Sequence, residues 1–139
     1  MKFVVFLFLL LSTNSYEEVH IIDLIYHTHE EGKIHVAVYD NEKDFLSQDV
    51  NYIGLVLEEG QREAQIKIPA NIKSIAIAAF QDCNNNDVFD LNIIGIPKES
   101  YAITNDCRAK WREPTFEEAT VDPSKVELLA FKLEYWSNR

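Results

Sequence analysis

Oxygen-bearing side chains crowd a short stretch near the middle of the chain. Between Asp82 and Asp90, six of nine residues carry a carboxylate or amide oxygen. Asp82, Asn84, Asn86 and Asp90 stand at positions 1, 3, 5 and 9 of this run. Such alternation wraps oxygens around a hard cation, and Ca²⁺ takes oxygen ligands at about 2.3–2.6 Å. The spacing predicts a calcium-binding loop.

Two further groups complete the predicted calcium shell. The backbone carbonyl of Val88 lies mid-loop, where a main-chain ligand is usual. Position 6 is Asp87 rather than glycine, and position 12 is Ile93 rather than a bidentate glutamate. Glu99 is therefore the predicted bidentate carboxylate. The alternative is a solvated turn in which the Asp and Asn side chains hydrogen-bond their own backbone.

The N-terminus has the three parts of an export signal. A basic Met1-Lys2 precedes the apolar run 3–11, and small and polar residues follow at 12–15. This order predicts a cleaved signal peptide over residues 1–15 and a secreted or periplasmic domain over 16–139. The apolar run is too short to span a bilayer. An uncleaved anchor or a buried strand is the alternative.

The two cysteines, Cys83 and Cys107, are an even number in a chain predicted to be exported. An oxidising compartment permits a disulfide between them. Such a bridge would stabilise the fold by roughly 3 kcal/mol in the chain-entropy model. Two unpaired thiols are the alternative, because sequence does not show the distance between the β-carbons.

Composition narrows the classes of partner. The chain has 139 residues, a net charge of −10 and 47% hydrophobic residues. The acidic balance excludes a nucleic-acid partner, since proteins that bind nucleic acid present basic patches to the phosphates. The length and the apolar content predict one folded domain. We expect a monomer with no membrane span after signal cleavage.

Short alternating segments dominate the rest of the chain. Ile34, Val36 and Val38 alternate with polar or small residues, as in a half-buried strand. Further strands are predicted at the segments 19–27, 51–58, 63–68, 74–80, 115–121 and 126–135. Strands separated by turns at roughly 8–12 residues predict an all-β fold, a single antiparallel Greek-key β-sandwich of seven or eight strands.

The segment 80–105 resembles the signature of the DUF2141 family of bacterial exported proteins. That signature is approximately H-D-x-N-x-N-G-x-x-D followed by G-I-P-x-E-G-Y-x-x-S-N. This chain departs from it at Gln81, Asp87, Ser100 and Thr104, and a downstream segment, 114–119, resembles the family's P-x-F-E-x-A. The resemblance spans about residues 33–135, and it implies a prealbumin-like or immunoglobulin-like sandwich. The matching residues are Asp82, Asn84, Asn86, Asp90, Gly95, Ile96, Pro97, Glu99, Tyr101 and Asn105.

Trp111 lies in the one basic and aromatic cluster of the chain, Arg108–Arg112. An exposed tryptophan flanked by cations can stack on a sugar ring or meet an acidic partner. The alternative is that Trp111 caps the edge of the fold while the charges face water or pair with the acidic loop. We take Tyr101 and Trp111 as candidate ligand contacts.

Together these patterns predict a non-enzymatic exported domain. Calcium in the loop would be structural, and it would hold a surface for a glycan or a cell-envelope protein. The rival hypothesis is a small extracytoplasmic hydrolase that uses the carboxylates of Asp82, Asp87 and Asp90. The sequence has no Gly-x-Ser-x-Gly elbow and no His-Glu-x-x-His motif, so nothing in it favours a particular reaction.

Overall fold

Strands make up most of the regular structure. The computed structural model describes residues 16–108 and 111–137, so the predicted signal peptide over 1–15 lies outside the described residues. One four-residue helix, α1, and two short 3-10 turns accompany the strands in this part of the chain. The strands are β1 (Val19–His27), β2 (Lys33–Tyr39), β3 (Ile53–Leu57), β4 (Glu63–Pro69), β5 (Ala76–Asp82), β6 (Tyr101–Ile103) and β7 (Leu128–Lys132).

The strands form two sheets, ordered β4-β1-β7 and β3-β2-β5-β6. All but one of the pairings are antiparallel. The exception joins β1 and β7 in parallel, with Asp23 opposite Leu128 and His27 opposite Lys132. The expectation of a wholly antiparallel fold is therefore wrong at this edge. Alternation of apolar residues reports which face of a strand is buried, and it carries no information on strand direction.

Alternate residues of both sheets meet in one core. Ile22 and Leu24 from β1 and Val36 and Val38 from β2 belong to the same cluster of buried side chains. Each fully buried aliphatic side chain contributes about 1.5–3 kcal/mol relative to an exposed one. The two sheets therefore cover each other's apolar faces. The predicted strand over 19–27 is confirmed as β1, and the predicted buried face of Ile34, Val36 and Val38 is confirmed on β2.

Two segments of the C-terminal third depart from the sequence-based prediction. The segment 115–121 was expected to be a strand, but it contains α1 (Phe116–Ala119). Thr115 caps this helix, because its hydroxyl accepts from the Glu118 N–H and the Glu118 carboxylate accepts from the Thr115 N–H. This reciprocal pattern is a helix-start signal that outweighs the local strand preference. The final strand is also shorter than the predicted range 126–135.

Thr104 is fully inside the fold, directly after β6. Its hydroxyl accepts from the Ile77 N–H at 2.9 Å and donates to the Ile77 carbonyl at 3.3 Å. Its exposed fraction is 2%. This side chain continues the pairing of β5 beyond the three residues of β6.

We expect Thr104→Val to lower the free energy of unfolding by about 1–3 kcal/mol, because it keeps the shape but leaves the buried Ile77 amide unsatisfied. Urea denaturation measures the change. Thr120→Val is the control, since the Thr120 hydroxyl donates to the Glu117 carbonyl in an exposed setting. Equal effects of the two substitutions would contradict a special role for Thr104.

No helix within the described residues is long and apolar enough to cross a bilayer.

Candidate metal centre

Strand β5 delivers Asp82 from the core into the loop. The strand is buried on both faces, with Ile77 and Ala79 in the main core and Ala76 in a second cluster. Gln81 is fully buried, and its side-chain amide donates to the Gly32 carbonyl at 2.9 Å. These contacts fix the end of the strand. Asp82, with an exposed fraction of 1%, therefore starts the loop from a rigid position.

The Asp82 carboxylate organises the backbone that follows it. One oxygen accepts from the Asn86 N–H at 3.2 Å and the other from the Asp87 N–H at 2.9 Å. Asn85 and Asp87 adopt left-handed backbone, with φ of 56° and 59°, which Asn and Asp tolerate better than most residues. Burial opposes ionisation, but these N–H groups and His35 outweigh it and hold the pKa of Asp82 below its ordinary value. The loop therefore contains the side-chain-to-backbone bonds of the predicted turn.

The predicted calcium ligands form one hydrogen-bonded network. Asp90 accepts from the side-chain amides of Asn84 at 2.7 Å and Asn86 at 2.8 Å. The Asn86 side-chain oxygen accepts from the Val88 N–H at 3.0 Å. Side-chain bonds thus connect Asn84 and Asn86 to Asp90, while Asp82 and Val88 are linked to Asn86 through backbone N–H groups.

Glu99 is hydrogen-bonded to this network through Asp90. Its exposed fraction is 5%, and Oε2 accepts from the Asp90 N–H at 3.1 Å. Oε1 is buried and has no hydrogen-bond partner among the described residues. Burial raises the pKa of Glu99, and the charges of Asp90 and Asp82 raise it further, against the opposing effect of the Asp90 and Cys83 amides. A buried oxygen of this kind is costly unless another group satisfies it.

His35 is a member of the site that sequence reasoning missed. Its Nε2 lies 3.4 Å from Oδ2 of Asp82 and 3.3 Å from Oδ1 of Asp87, and its ring stacks on Phe80 with centroids 4.8 Å apart. The ligand atoms of His35, Asp82 and Asp87 all lie within 4.8 Å of one another. His35 pairs with Phe80 across β2 and β5. That neighbourhood was not visible in sequence, because it needs the strand order.

Tyr101 and Trp111 line a cavity of about 740 Å³ beside the loop. Tyr101 packs its ring under the Arg108 guanidinium, at 5.3 Å, and against the edge of Phe89. Trp111 has an exposed fraction of 84%, so the alternative in which it caps the edge of the fold is wrong. Arg112 pairs with Glu118 instead of the acidic loop. The roles of Tyr101 and Trp111 in binding a ligand stay a prediction.

The predicted disulfide is wrong, because Cys83 and Cys107 are both free thiols. Cys83 follows the end of β5, whereas Cys107 packs against the cluster that contains Ala76 at the start of that strand. A strand advances about 3.4 Å per residue, so the two thiols are about 20 Å apart. A disulfide needs α-carbons within about 7 Å. The disulfide was predicted because the sequence does not show the path of the chain. In the structure β6 runs antiparallel to β5 and carries Cys107 back towards the start of β5.

We expect the unfolded protein, without reductant, to react with Ellman's reagent at two thiols per chain, because both cysteines are free. Reductant should leave the melting temperature unchanged. A result of no reactive thiol, together with a lower melting temperature in reductant, would contradict this arrangement.

Residues 22–127 match a family described as an uncharacterized protein conserved in bacteria, DUF2141. The chain belongs to the DUF2141 family. The match covers the acidic loop, Glu99 and the cavity residues as far as Pro114, which agrees with the resemblance seen in the sequence. Searches of curated proteins and of solved structures found no match for this DUF2141 protein.

Proposed function

We propose that this DUF2141 protein is a non-enzymatic exported domain whose acidic loop binds Ca²⁺ and thereby stiffens a binding surface. The observation that carries the proposal is Glu99, a buried carboxylate whose Oε2 accepts from the Asp90 N–H and whose Oε1 has no hydrogen-bond partner within residues 16–108 and 111–137. A cation bonded to that oxygen would offset the cost of burying it.

The charge of the loop supports a cation ligand. Asp82, Asp90 and Glu99 are joined through backbone and side-chain hydrogen bonds, and Asp87 lies across from them beside His35. Burial raises the pKa of Glu99, and the nearby charges of Asp90 and Asp82 raise it further. A divalent cation reverses this penalty, because it favours the ionised form of each carboxylate.

The proposed ligand set uses oxygen atoms alone, which suits Ca²⁺ better than a softer metal. Asn84 and Asn86 direct their amide NH₂ groups to Asp90, so each side chain must rotate to offer its oxygen. Oxygen and nitrogen of an amide have nearly the same shape, so this rotation needs little space. The proposed ligands are Asp82, Asn84, Asn86, the Val88 carbonyl, Asp90 and Glu99.

For the fold type we propose a Greek-key β-sandwich of the prealbumin-like or immunoglobulin-like kind. The shared core of the three- and four-stranded sheets supports it. The proposed location is outside the cytoplasm, supported by the signal-like residues 1–15.

The proposed partner is a glycan or a cell-envelope protein. Ile93 and Ile94 at the tip of the segment behind the loop have exposed fractions of 104% and 74%. Exposed apolar side chains next to each other favour the protein partner, since contiguous apolar surface is typical of protein interaction sites. Trp111 supplies an exposed ring for the glycan alternative.

The test is the melting temperature of the purified protein in chelator and in millimolar Ca²⁺. At a hundredfold excess over the dissociation constant, binding adds about 2.7 kcal/mol to stability, which raises the melting temperature by several degrees. Asp90→Ala should abolish the rise. Asp23→Ala is the control, because Asp23 lies on β1 and contacts Gln65, away from the loop. An equal rise in both variants, or no rise in the unaltered protein, would refute the calcium proposal.

The contact between His35 and Asp82 favours one alternative, a small hydrolase in which the acidic loop holds a histidine base. The same Asp90→Ala variant separates the two proposals. A structural cation predicts lost stability and a lost calcium response. A hydrolase predicts lost turnover of model ester or glycoside substrates with the melting temperature unchanged.

A further inference from the structure

A row of small residues crosses the outer face of the four-stranded sheet. Gly54, Ala37 and Ala78 lie side by side on β3, β2 and β5, because Ala37 is in register with both of the others. They alternate with residues of the main core and so lie on the opposite face of the sheet, where Ala78 borders the second cluster. Neighbouring strands are about 4.8 Å apart, so this row makes a shallow, flat floor about 10 Å long.

Aromatic side chains border the floor on one side. His35, Phe80 and Tyr101 occupy the next row of this face, on β2, β5 and β6. Phe89, from the acidic loop, packs on Phe80 at 5.1 Å and on Tyr101 at 5.8 Å between ring centroids. These rings form a wall that rises from the sheet.

Two segments border the floor and complete the cavity of about 740 Å³. The first is 46–51, between β2 and β3, and the second is 111–114. Gln48 holds the first in place, since its side chain accepts from the Phe89 N–H at 3.1 Å and donates to the Phe89 carbonyl. The second carries Trp111 and Pro114 to the rim. The volume lies within the range of about 300–1,000 Å³ that is typical of small-molecule sites.

The rim of this cavity leaves large apolar side chains in water. Val56, Leu91, Ile94 and Trp111 line it with exposed fractions of 49%, 46%, 74% and 84%. Scattered apolar residues on a surface are ordinary, but several around one cavity indicate a binding site. Polar side chains such as Gln48, Asn51 and Arg112 also line the cavity. The floor itself carries none, so it favours the face of an apolar ring over a sugar whose hydroxyl groups need hydrogen-bond partners.

We propose that this cavity binds a planar, mostly apolar small molecule of about two to four rings. The flat floor of Gly54, Ala37 and Ala78 accepts the face of a ring system, and Phe89 and Tyr101 supply edge and face contacts of the kind aromatic pairs prefer. This ligand goes beyond the proposed calcium function, because the floor belongs to the sheet and needs no cation.

The two tryptophans of the chain, Trp111 and Trp136, both line the cavity. Their fluorescence therefore reports on this site alone. The probe is prodan, a neutral naphthalene dye that absorbs where tryptophan emits. We expect saturable energy transfer from tryptophan to prodan at one probe per chain.

Two variants fill the floor and leave the main core untouched, although Ala78 also packs against the second cluster. Gly54→Val adds a side chain on an edge strand, where valine is favoured over glycine, and its β-carbon meets the flexible Asn51 side chain at 3.1 Å. Ala78→Leu fills the opposite end of the row, on β5. Each should weaken prodan binding at least tenfold, and Gly54→Val should keep the melting temperature. Ala130→Leu, at an exposed position of β7, is the size-matched control and should bind normally.

Competition separates the ligand classes. Naphthalene derivatives should displace prodan, and hexadecanoate and cellotriose should not. Unchanged binding in folded Gly54→Val, or displacement by hexadecanoate or cellotriose alone, would overturn the proposal. So would sedimentation showing a dimer that dissociates in Trp111→Ala, because a second copy of the chain would then cover this face.

Discussion

Replacing Asp82 by alanine is expected to lower the free energy of unfolding by about 2–4 kcal/mol, even in chelator. The Asp82 carboxylate is buried and accepts from the amides of Asn86 and Asp87. Alanine removes both acceptors and leaves the turn without a centre. Urea denaturation measures the loss, and the melting temperature should fall by about 10 °C.

The control for this substitution is Asp87→Gly. It also removes a carboxylate from the loop, but that side chain is exposed and its backbone has φ of 59°, which glycine adopts without strain. We expect a change within about 1 kcal/mol. Comparable losses in the two variants would show that loop charge, rather than the bonds of Asp82, sets stability.

The pH dependence of the Asp82→Ala loss has a definite sign. The pKa of Asp82 is depressed in the folded protein, because the N–H groups of Asp87 and Asn86, with His35, outweigh the effect of burial. The ionised carboxylate therefore contributes stability above the unfolded pKa of about 3.9, and this contribution is lost as pH falls through the folded value. In chelator, the gap between the two proteins should be full at pH 7 and should shrink below about pH 4.

Gly32→Ala is expected to cost about 3 kcal/mol or more. Gly32 has φ of +114°, and an added β-carbon would lie 2.3 Å from the Asp82 carbonyl oxygen and 3.3 Å from the Cys83 α-carbon. These are backbone atoms, so no side-chain rotation relieves the clash. The end of β5 must shift, and the start of the acidic loop shifts with it.

Gly60→Ala is the matched control for Gly32→Ala. Gly60 also has positive φ, +87°, but a β-carbon there meets nothing within 4 Å. Backbone strain alone predicts a loss of about 1 kcal/mol. If the calcium proposal holds, Gly32→Ala also weakens the calcium response while Gly60→Ala retains it. Identical melting temperatures for the two variants would show that the contact with Asp82 carries no weight.

Much of the sheet structure could be predicted from local pattern. The strands β1 to β5 follow from apolar alternation, which directly reflects one buried face. The helix at Phe116–Ala119 was missed because its capping residues, Thr115 and Glu118, were read as part of a strand. The parallel pairing of β7 could not be predicted, since it depends on which partner remains for β1 once the chain has folded.

The acidic loop was predictable for a different reason. Its members from Asp82 to Asp90 are contiguous, so their spacing in sequence fixes their neighbourhood. Glu99 was predicted as a ligand because position 12 of the loop is Ile93 and a bidentate carboxylate had to come from further along the chain. His35 and the floor of small residues come from separate strands, and only the register of β2 with β3 and β5 brings them together. The cysteines show the opposite case. Because β6 runs antiparallel to β5, it carries Cys107 away from Cys83 and towards the start of β5.

The parallel pairing of β1 with β7 also affects the order of folding. β1 is the central strand of its sheet, and the edge that pairs with β7 stays unpaired until β7, the last strand of the described chain, has formed. Contacts between such distant segments are slow to close and are absent from any N-terminal fragment. During synthesis that edge stays open, and an open edge is a template for aggregation. If the export proposal holds, this arrangement suits it, because a chain that still lacks β7 cannot complete the three-stranded sheet, and a translocation channel accepts unfolded chains.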